Sequence, residues 1–224
     1  MNGPILDASS SSPSNPPPDG DKLFSAPASR NVSPILDVMK TLVPQGEGKV
    51  LAVAEGSGQH VSCFAKNLPL LKFVATDLDS KAVASIRAYV KEEGVSNVLA
   101  IEQLDMTAVP HWEEKSWASS SSFDLVYAVN LTHISPWAAS LGLLATAARL
   151  LREGGVLMIY GPFKVDGKCT TESNEEFDKK LRSQNSEWGY RDIDDLKAAG
   201  SERGLKFVRA ESMPANNFIL IFNK

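Results

Sequence analysis

The feature that most constrains the fold of this chain is an alternation of short β-rich runs with helical stretches from residue 49 onward. Runs rich in β-branched and aromatic residues predict strands at 50–54, 73–76, 98–101, 123–129 and 156–160, separated mostly by segments with helical spacing of apolar residues. Near-continuous apolar strands joined by helices favour a parallel sheet covered on both faces. The pattern therefore predicts an α/β protein built from successive strand–helix–strand units.

The C-terminal part of the chain departs from this alternation. A helical pattern at 192–202 is followed by two apolar runs, at 205–210 and 217–222, separated by only a few residues. A connection this short can join only antiparallel strands, because a parallel crossover needs about a dozen residues or more. The expected fold is a doubly wound, mostly parallel sheet with an antiparallel C-terminal strand.

The amino-terminal residues have a composition of their own. Residues 1–20 contain five Ser, five Pro and no aromatic residue, which leaves too little apolar surface to offset the entropy lost on ordering the backbone. A helical spacing of apolar residues first appears at 31–42. We therefore predict a disordered tail over 1–23 and a single domain over 24–224.

Charge and cysteine content argue against several classes of function. The chain has 23 basic and 27 acidic residues, a net charge of −4, and no basic run suited to a nucleic-acid backbone. No apolar window reaches the roughly 20 residues of a membrane span, and the first residues do not resemble a secretion signal. Cys63 and Cys169 lie in no CxxC pair. We expect a cytoplasmic protein without nucleic-acid partner, membrane association or metal; monomer and homodimer both stay open.

A glycine-containing turn follows the first predicted strand. The segment LAVAEGSGQH places Gly56 and Gly58 between that strand and the next helix. Glycines permit a tight turn and let a ligand approach the backbone, whose free N–H groups favour a negative or electron-rich group. Many turns of this kind bind nothing, so the segment indicates a site only together with other residues.

Acidic residues follow the next two predicted strands. Asp77 ends the second strand, nineteen residues after Gly58, and Asp105 follows the third. In doubly wound nucleotide-binding proteins, an acid at the end of the second strand accepts hydrogen bonds from ribose hydroxyls. Asp105 with Met106 beside it suits adenine, which offers an amino group and an apolar face. Asp79 is expected to cap the following helix, which leaves Asp77 for a ligand.

Both a dinucleotide cofactor and a cofactor with a single nucleoside fit this arrangement. A dinucleotide-binding GxGxxG motif would have glycine at position 61, where this chain has Val61. Tyr160 and Lys164 have the YxxxK spacing of short-chain dehydrogenases, but Gly161 and Pro162 prevent the helix that this motif needs. An NAD(P)-binding oxidoreductase is therefore the alternative interpretation.

The glycine turn, the two acids and the antiparallel C-terminal strand together resemble the class I S-adenosylmethionine-dependent methyltransferases over about 49–224. More narrowly, EGSGQH, ATDLD, VNLTHISPW, WGYRDIDDL and MPANN, with ASRN near the amino end, are similar to the methyltransferase-like protein 26 family. The resemblance implies a seven-stranded Rossmann-like fold, with S-adenosylmethionine as cofactor and S-adenosylhomocysteine as product. Ala52 and Ala54 replace the acid and the first glycine usual in such enzymes, and Glu55 is expected to point elsewhere.

The resemblance also implies which residues bind the cofactor. The segment 24–45 would lie over it as a helix, with Arg30 pairing with the methionine carboxylate. The candidates, in chain order, are Arg30, Asn31, Glu55, Gly56, Ser57, Gly58, Asp77, Leu78, Asp105, Met106 and Asn130.

Candidates for the acceptor side follow the fourth and fifth predicted strands, at the edge where such folds bind ligands. His133 has an ordinary pKa near neutrality, which makes it the candidate general base. The polar segment 161–191 is long enough to form a substrate lid, and its aromatic neighbours suggest a small acceptor. The catalytic candidates are His133, Tyr160 and Lys164, and the substrate-binding candidates are these three with Trp137 and Phe163.

Methyl transfer itself needs little from a protein beyond alignment of the reactants. The leading hypothesis is therefore a small-molecule methyltransferase. A non-catalytic S-adenosylmethionine-binding partner or sensor is a further alternative, suggested by Ala52 and by the lack of an obvious base.

Overall fold

A computed structural model describes residues 22–108 and 115–224. Most of the predicted tail lies outside these ranges. The elements, in chain order, are α1 (Ala26–Leu42), β1 (Gly48–Val53), α2 (Gln59–Asn67), β2 (Leu71–Asp77), α3 (Ser80–Glu92), β3 (Val98–Gln103), β4 (Phe123–Val129), α4 (Trp137–Leu150), β5 (Leu151–Gly161), β6 (Lys164–Val165), β7 (Lys168–Cys169), α5 (Glu172–Gln184), α6 (Ile193–Ser201), β8 (Lys206–Met213) and β9 (Asn217–Asn223).

Seven strands form one sheet in the order β3-β2-β1-β4-β5-β9-β8. Strands β1 to β5 pair in parallel, whereas β9 is antiparallel to both β5 and β8. The predicted doubly wound sheet with an antiparallel C-terminal strand is thus confirmed. The strand order reverses between β1 and β4, where the connection from β1 runs toward β2 and the connection from β4 runs toward β5 on the opposite side. Such a point leaves a crevice at the carboxyl ends of the strands.

Both faces of the sheet are covered, which explains why the strands are apolar throughout. Leu51 and Val53 pack with α4 and α6 on one face. Val50 and Ala52 pack with α1, α2 and α3 on the other. Because successive strand residues point to opposite faces, a strand buried on both sides must be apolar at every position.

The amino end is tied to the sheet by polar contacts. Ser25 caps α1 by accepting a hydrogen bond from the N–H of Ala28, and its own N–H donates to Gln59 at the start of α2. Lys22 pairs with Glu92, and the N–H of Leu23 donates to Ser85 at 2.7 Å. Residues assigned to the tail from the sequence therefore contact α3.

Other local predictions have a direct counterpart. Asp79 caps α3 by accepting a hydrogen bond from the N–H of Lys81. The predicted lid contains the β6–β7 hairpin and the helix α5, which Thr171 caps.

Within residues 22–108 and 115–224, no helix combines the length and the apolar character that crossing a membrane requires.

Candidate functional site

A cavity of about 370 Å³, called here the first cavity, opens at the carboxyl ends of β1, β2 and β4. Its wall contains residues from the turn after β1, from the ends of β2 and β3, and from the segment between β4 and α4. The lining residues that were candidates from the sequence are Glu55, Gly56, Ser57, Asp77, Leu78, Asp105, Met106 and Asn130. The parallel sheet thus brings most of the predicted cofactor residues together.

The turn after β1 has the backbone that its glycines predicted. Gly56 and Gly58 have φ of 68° and 94°, in the left-handed region that favours glycine. A Cβ on Gly58 would lie 2.7 Å from the Cα of Ile86, so no larger residue fits between α2 and α3. Ala54 has φ of 54° where related motifs have glycine, and this conformation costs an L-residue about 1 kcal/mol.

Asp77 holds the glycine turn with part of its carboxylate. One oxygen accepts the N–H of Gly56 at 2.7 Å and the other accepts the N–H of Asp79 at 2.9 Å. A carboxylate has about four acceptor positions, so two of them stay available. Because Asp77 lines the first cavity, these positions are available to a ligand.

Asp105 and Met106 form the far wall of the first cavity. Both the side-chain hydroxyl and the backbone N–H of Thr107 donate to one oxygen of Asp105 at 2.7 Å, and these bonds lower the pKa of the carboxyl group. The backbone N–H of Ala108 also helps to lower this pKa. An ionised acceptor therefore stands beside the buried Met106 side chain.

Glu55 supplies a carboxyl group where β1 itself has Ala52. The residue lines the first cavity, while its carboxyl group is directed to hydrogen-bond donors within the protein, so its role toward a cofactor stays a prediction. It accepts the N–H of Val61 at 2.6 Å and the hydroxyl of Tyr127 at 2.8 Å. Burial raises the pKa of Glu55 to about 8, because desolvation of the charged form outweighs these two hydrogen bonds.

A buried pair that sequence reasoning missed connects α1 with α2. His60 Nε2 lies 2.7 Å from Oδ1 of Asn31, and His60 also lines the first cavity. Burial lowers the pKa of His60 to about 4, so the imidazole is neutral at pH 7. With Nε2 donating to the amide oxygen, Nδ1 carries the lone pair. The position of His60 directly after the glycine turn was the signal available in the sequence.

Residues 22–224 match the model of a family described as a protein of unknown function, DUF938. The chain belongs to this family. The match covers nearly all of the described residues, and its description assigns no activity. The narrower resemblance to the methyltransferase-like protein 26 family stays a prediction.

Several solved structures have the same fold. An O-methyltransferase family protein from Burkholderia thailandensis is 16% identical, with a TM-score of 0.73 over 88% of this chain and 57% of that chain. An O-methyltransferase family 2 protein from Planctomyces limnophilus in complex with apigenin is 17% identical, with a TM-score of 0.69 over 88% and 60% of the two chains. The S-adenosylmethionine-dependent methyltransferase SibL in its apo form is 17% identical, with a TM-score of 0.69 over 88% and 55%.

At these identities the likeness establishes the fold of the chain, which is the Rossmann-like fold of S-adenosylmethionine-dependent methyltransferases. The chain spans little more than half the length of these three structures. The rest of each of those three chains lies outside the alignment.

The five predicted acceptor-side residues do not meet in one cavity. Tyr160 lines a second cavity of about 220 Å³ together with Arg30 and Asn31. Trp137 and Lys164 line a third cavity, which shares no lining residue with the other two. Phe163 is fully buried in the core and His133 lines none of the three.

His133 is enclosed by the predicted lid. Its ring packs against Phe177 and Tyr190, with ring centroids 6.4 and 6.0 Å away, and the side chain is 5% exposed. Burial, assisted by the positive charge of Arg191, lowers the pKa of His133 to about 4. Nδ1 is buried and has no hydrogen-bond partner among the described residues. In this structure His133 is thus part of the packing between the β4–α4 segment and the lid.

Proposed function

We propose that this protein is an S-adenosylmethionine-dependent methyltransferase that acts on a small-molecule acceptor. The observation that carries the proposal is the first cavity, where the half-buried carboxylate of Asp77 stands beside the glycine turn in a methyltransferase fold. The likeness to a protein in complex with apigenin supports a small organic acceptor.

The residues that line the first cavity fit S-adenosylmethionine. Asp77 would bind the ribose through the acceptor positions that Gly56 and Asp79 leave open. Asp105 would accept a hydrogen bond from the adenine amino group, and Met106 provides an apolar surface for the ring. Glu55 brings a buried carboxyl group to the wall of the same cavity, and a cationic group bound there would favour its ionised form.

When bound, S-adenosylmethionine supplies a methyl group on a sulfonium: the acceptor atom bonds to that carbon, the carbon–sulfur electron pair stays on sulfur, and any acceptor proton leaves to a base. The chain's own contribution is to align the acceptor and to hold the base near it. His133 was the sequence candidate for this base, and His60 is the neutral imidazole that lines the first cavity. Both therefore enter the tests below.

Calorimetry with S-adenosylhomocysteine tests the cofactor assignment. Asp77→Ala removes charge-assisted hydrogen bonds worth roughly 1.5–3 kcal/mol, so we expect the dissociation constant to rise about 10- to 100-fold. The matched control is Asp79→Ala, which removes a helix cap of α3 at a cost of about 1 kcal/mol in stability and is expected to leave the affinity unchanged.

Two results would contradict the proposal. NADH binding without S-adenosylhomocysteine binding would favour the oxidoreductase alternative. Tight S-adenosylhomocysteine binding without methyl transfer across thiol, amine and hydroxyl acceptors would favour the sensor alternative.

A further inference from the structure

The second cavity adjoins the first at the end of β4. Asn130 lines both cavities, and its N–H donates to the carbonyl of Tyr160 on β5 at 2.9 Å. The second cavity lies between the first half of α1 and the turn that joins β8 to β9. The two cavities therefore share Asn130 as part of their walls, and molecules bound in them would be neighbours at this residue.

The charge in the second cavity comes from Arg30. Among residues 22–108 and 115–224, its guanidinium forms no ion pair and no hydrogen bond, and its charge acts to lower the pKa of the Tyr160 hydroxyl. The hydroxyl of Tyr160 is close enough for Arg30 to act on it: burial raises the pKa of Tyr160, while the amide of Asn31 and the charge of Arg30 oppose that rise. No carboxylate lines this cavity, so its electrostatic character is that of an anion site.

The backbone around the two cavities is held in an unfavourable conformation. Asn130, Ala215 and Asn216 have φ of 57°, 58° and 56°. The turn is fixed from outside by the side chains of Asn217, which donates to the carbonyls of Pro214 and Ala215, and of Asn174 on α5. Residues in sparsely populated conformations persist only where their surroundings impose them, and they concentrate at ligand sites.

Asn31 connects the second cavity with the first. Its amide oxygen faces Nε2 of His60 at 2.7 Å, and His60 lines the first cavity. Asn31 itself lines the second cavity beside Tyr160, and its amide opposes the rise in the pKa of that hydroxyl. Asn31 is 8% exposed, so its position is fixed by packing as well as by the hydrogen bond to His60. The polar wall of the second cavity is therefore preorganised.

We infer that the second cavity is the acceptor site of the proposed methyltransferase and that it binds a small carboxylic acid, with the carboxylate on Arg30 and the reacting atom toward Asn130. The inference rests on the proposed function. A single guanidinium matches a planar carboxylate through two parallel hydrogen bonds. The cavity, at about 220 Å³, is smaller than the roughly 300–1,000 Å³ typical of sites for drug-sized ligands, which limits the acceptor to a small molecule.

Ligand-observed NMR on the protein saturated with S-adenosylhomocysteine tests this inference, with benzoate and its neutral analogue benzamide as matched probes. We expect benzoate to bind about tenfold tighter or more, since an ion-paired hydrogen bond distinguishes the two. Arg30→Met should abolish this preference without changing the affinity for S-adenosylhomocysteine. Lys40→Met is the control, because Lys40 lies on the same helix and pairs with Asp37 at the surface.

The outcomes separate the two proposals. If S-adenosylhomocysteine itself fails to bind, the proposed function fails and this inference falls with it. If it binds but benzoate and benzamide bind equally, or the preference survives Arg30→Met, the acceptor site is wrong while the cofactor site stands. If Arg30→Met weakens S-adenosylhomocysteine binding instead, Arg30 belongs to the methionine carboxylate as the sequence suggested. Tighter binding of phenyl phosphate than of benzoate would overturn the assignment to a carboxylic acid.

Discussion

The edge of the sheet at β1, β2 and β4 and the segment 161–191 both contain charged residues, but they use them differently. At the sheet edge, Asp77 and Arg30 face cavities and keep hydrogen-bonding capacity that no described residue fills. In the segment 161–191, the buried carboxylate of Asp178 meets Lys164 at 3.0 Å and Arg182 at 3.1 Å, and accepts the N–H of Tyr190 at 2.7 Å.

This difference separates a candidate binding site from a structural network. Burial would raise the pKa of Asp178, but the N–H of Tyr190 and the two cations outweigh it and hold the pKa below its ordinary value. A buried charge with all its partners stabilises one arrangement of the chain and has little left for a ligand. Charged groups that line a cavity and still have free hydrogen-bonding positions can bind a ligand.

The two buried histidines give the sharpest form of the comparison. Once an acceptor is known, we expect His60→Gln to lower the turnover rate by about 10², the lower end of the usual contribution of a general base, because its lowered pKa makes the imidazole a weak base. Glutamine can still donate to Asn31, so cofactor affinity should stay near that of the unaltered protein.

The companion variant, His133→Gln, decides between the two regions. A loss of less than about threefold is expected if His133 only packs against Phe177 and Tyr190. A loss of 10² or more in His133→Gln together with an active His60→Gln would place the base behind the segment 161–191, and the comparison drawn above would be wrong.

The structural network is tested by the stability of Asp178→Ala. This change leaves Lys164 and Arg182 without their buried partner, and we expect the free energy of unfolding to fall by about 2–3 kcal/mol in urea titrations. Asp194→Ala, which breaks the exposed pair with Lys197, should cost less than about 0.5 kcal/mol. Affinity for S-adenosylhomocysteine should be unchanged in both variants, and a tenfold loss in Asp178→Ala would make the segment part of the site.

The last prediction concerns the buried acid of the first cavity. In the folded protein the pKa of Glu55 is about 8, against 4.5 for the exposed side chain. Below pH 4.5 the group is protonated in both states; between pH 4.5 and 8 only the unfolded chain ionises, so stability falls as the pH rises. The unfolding free energy should therefore drop by up to about 3–4 kcal/mol from pH 5 to 8, and Glu55→Gln should remove that part of the dependence. Identical pH profiles for both proteins would show that Glu55 is ionised when folded.

The fold was predictable from local patterns in considerable detail. The strand periodicity, the apolar character of β1 to β5 and the short connection before β9 each depend on residues close together in the sequence. Asp77 and Asp105 were also accessible, because the ends of neighbouring parallel strands meet at one edge whatever the details of packing. Their roles as cofactor ligands stay predictions.

The acceptor side was less accessible, and the reason is where its parts come from. His133, Tyr160 and Lys164 lie within a short stretch of sequence, yet they face the lid, the second cavity and an ion pair respectively. The sequence shows that these residues follow a strand. It does not show on which side of the connecting segment each side chain lies.

The sequence by itself determined the layers of this protein: strand and helix periods are local, and a strand buried on both faces must be apolar whatever packs against it. Only the tertiary structure decided which polar groups meet. Asn31 and His60 meet because α1 packs against α2, and Tyr160 and Ala215 meet because the β8–β9 turn lies over the end of β5. A cavity is the space left where separate elements fail to fill each other's surfaces, so its shape and charge depend on contacts between residues distant in the chain.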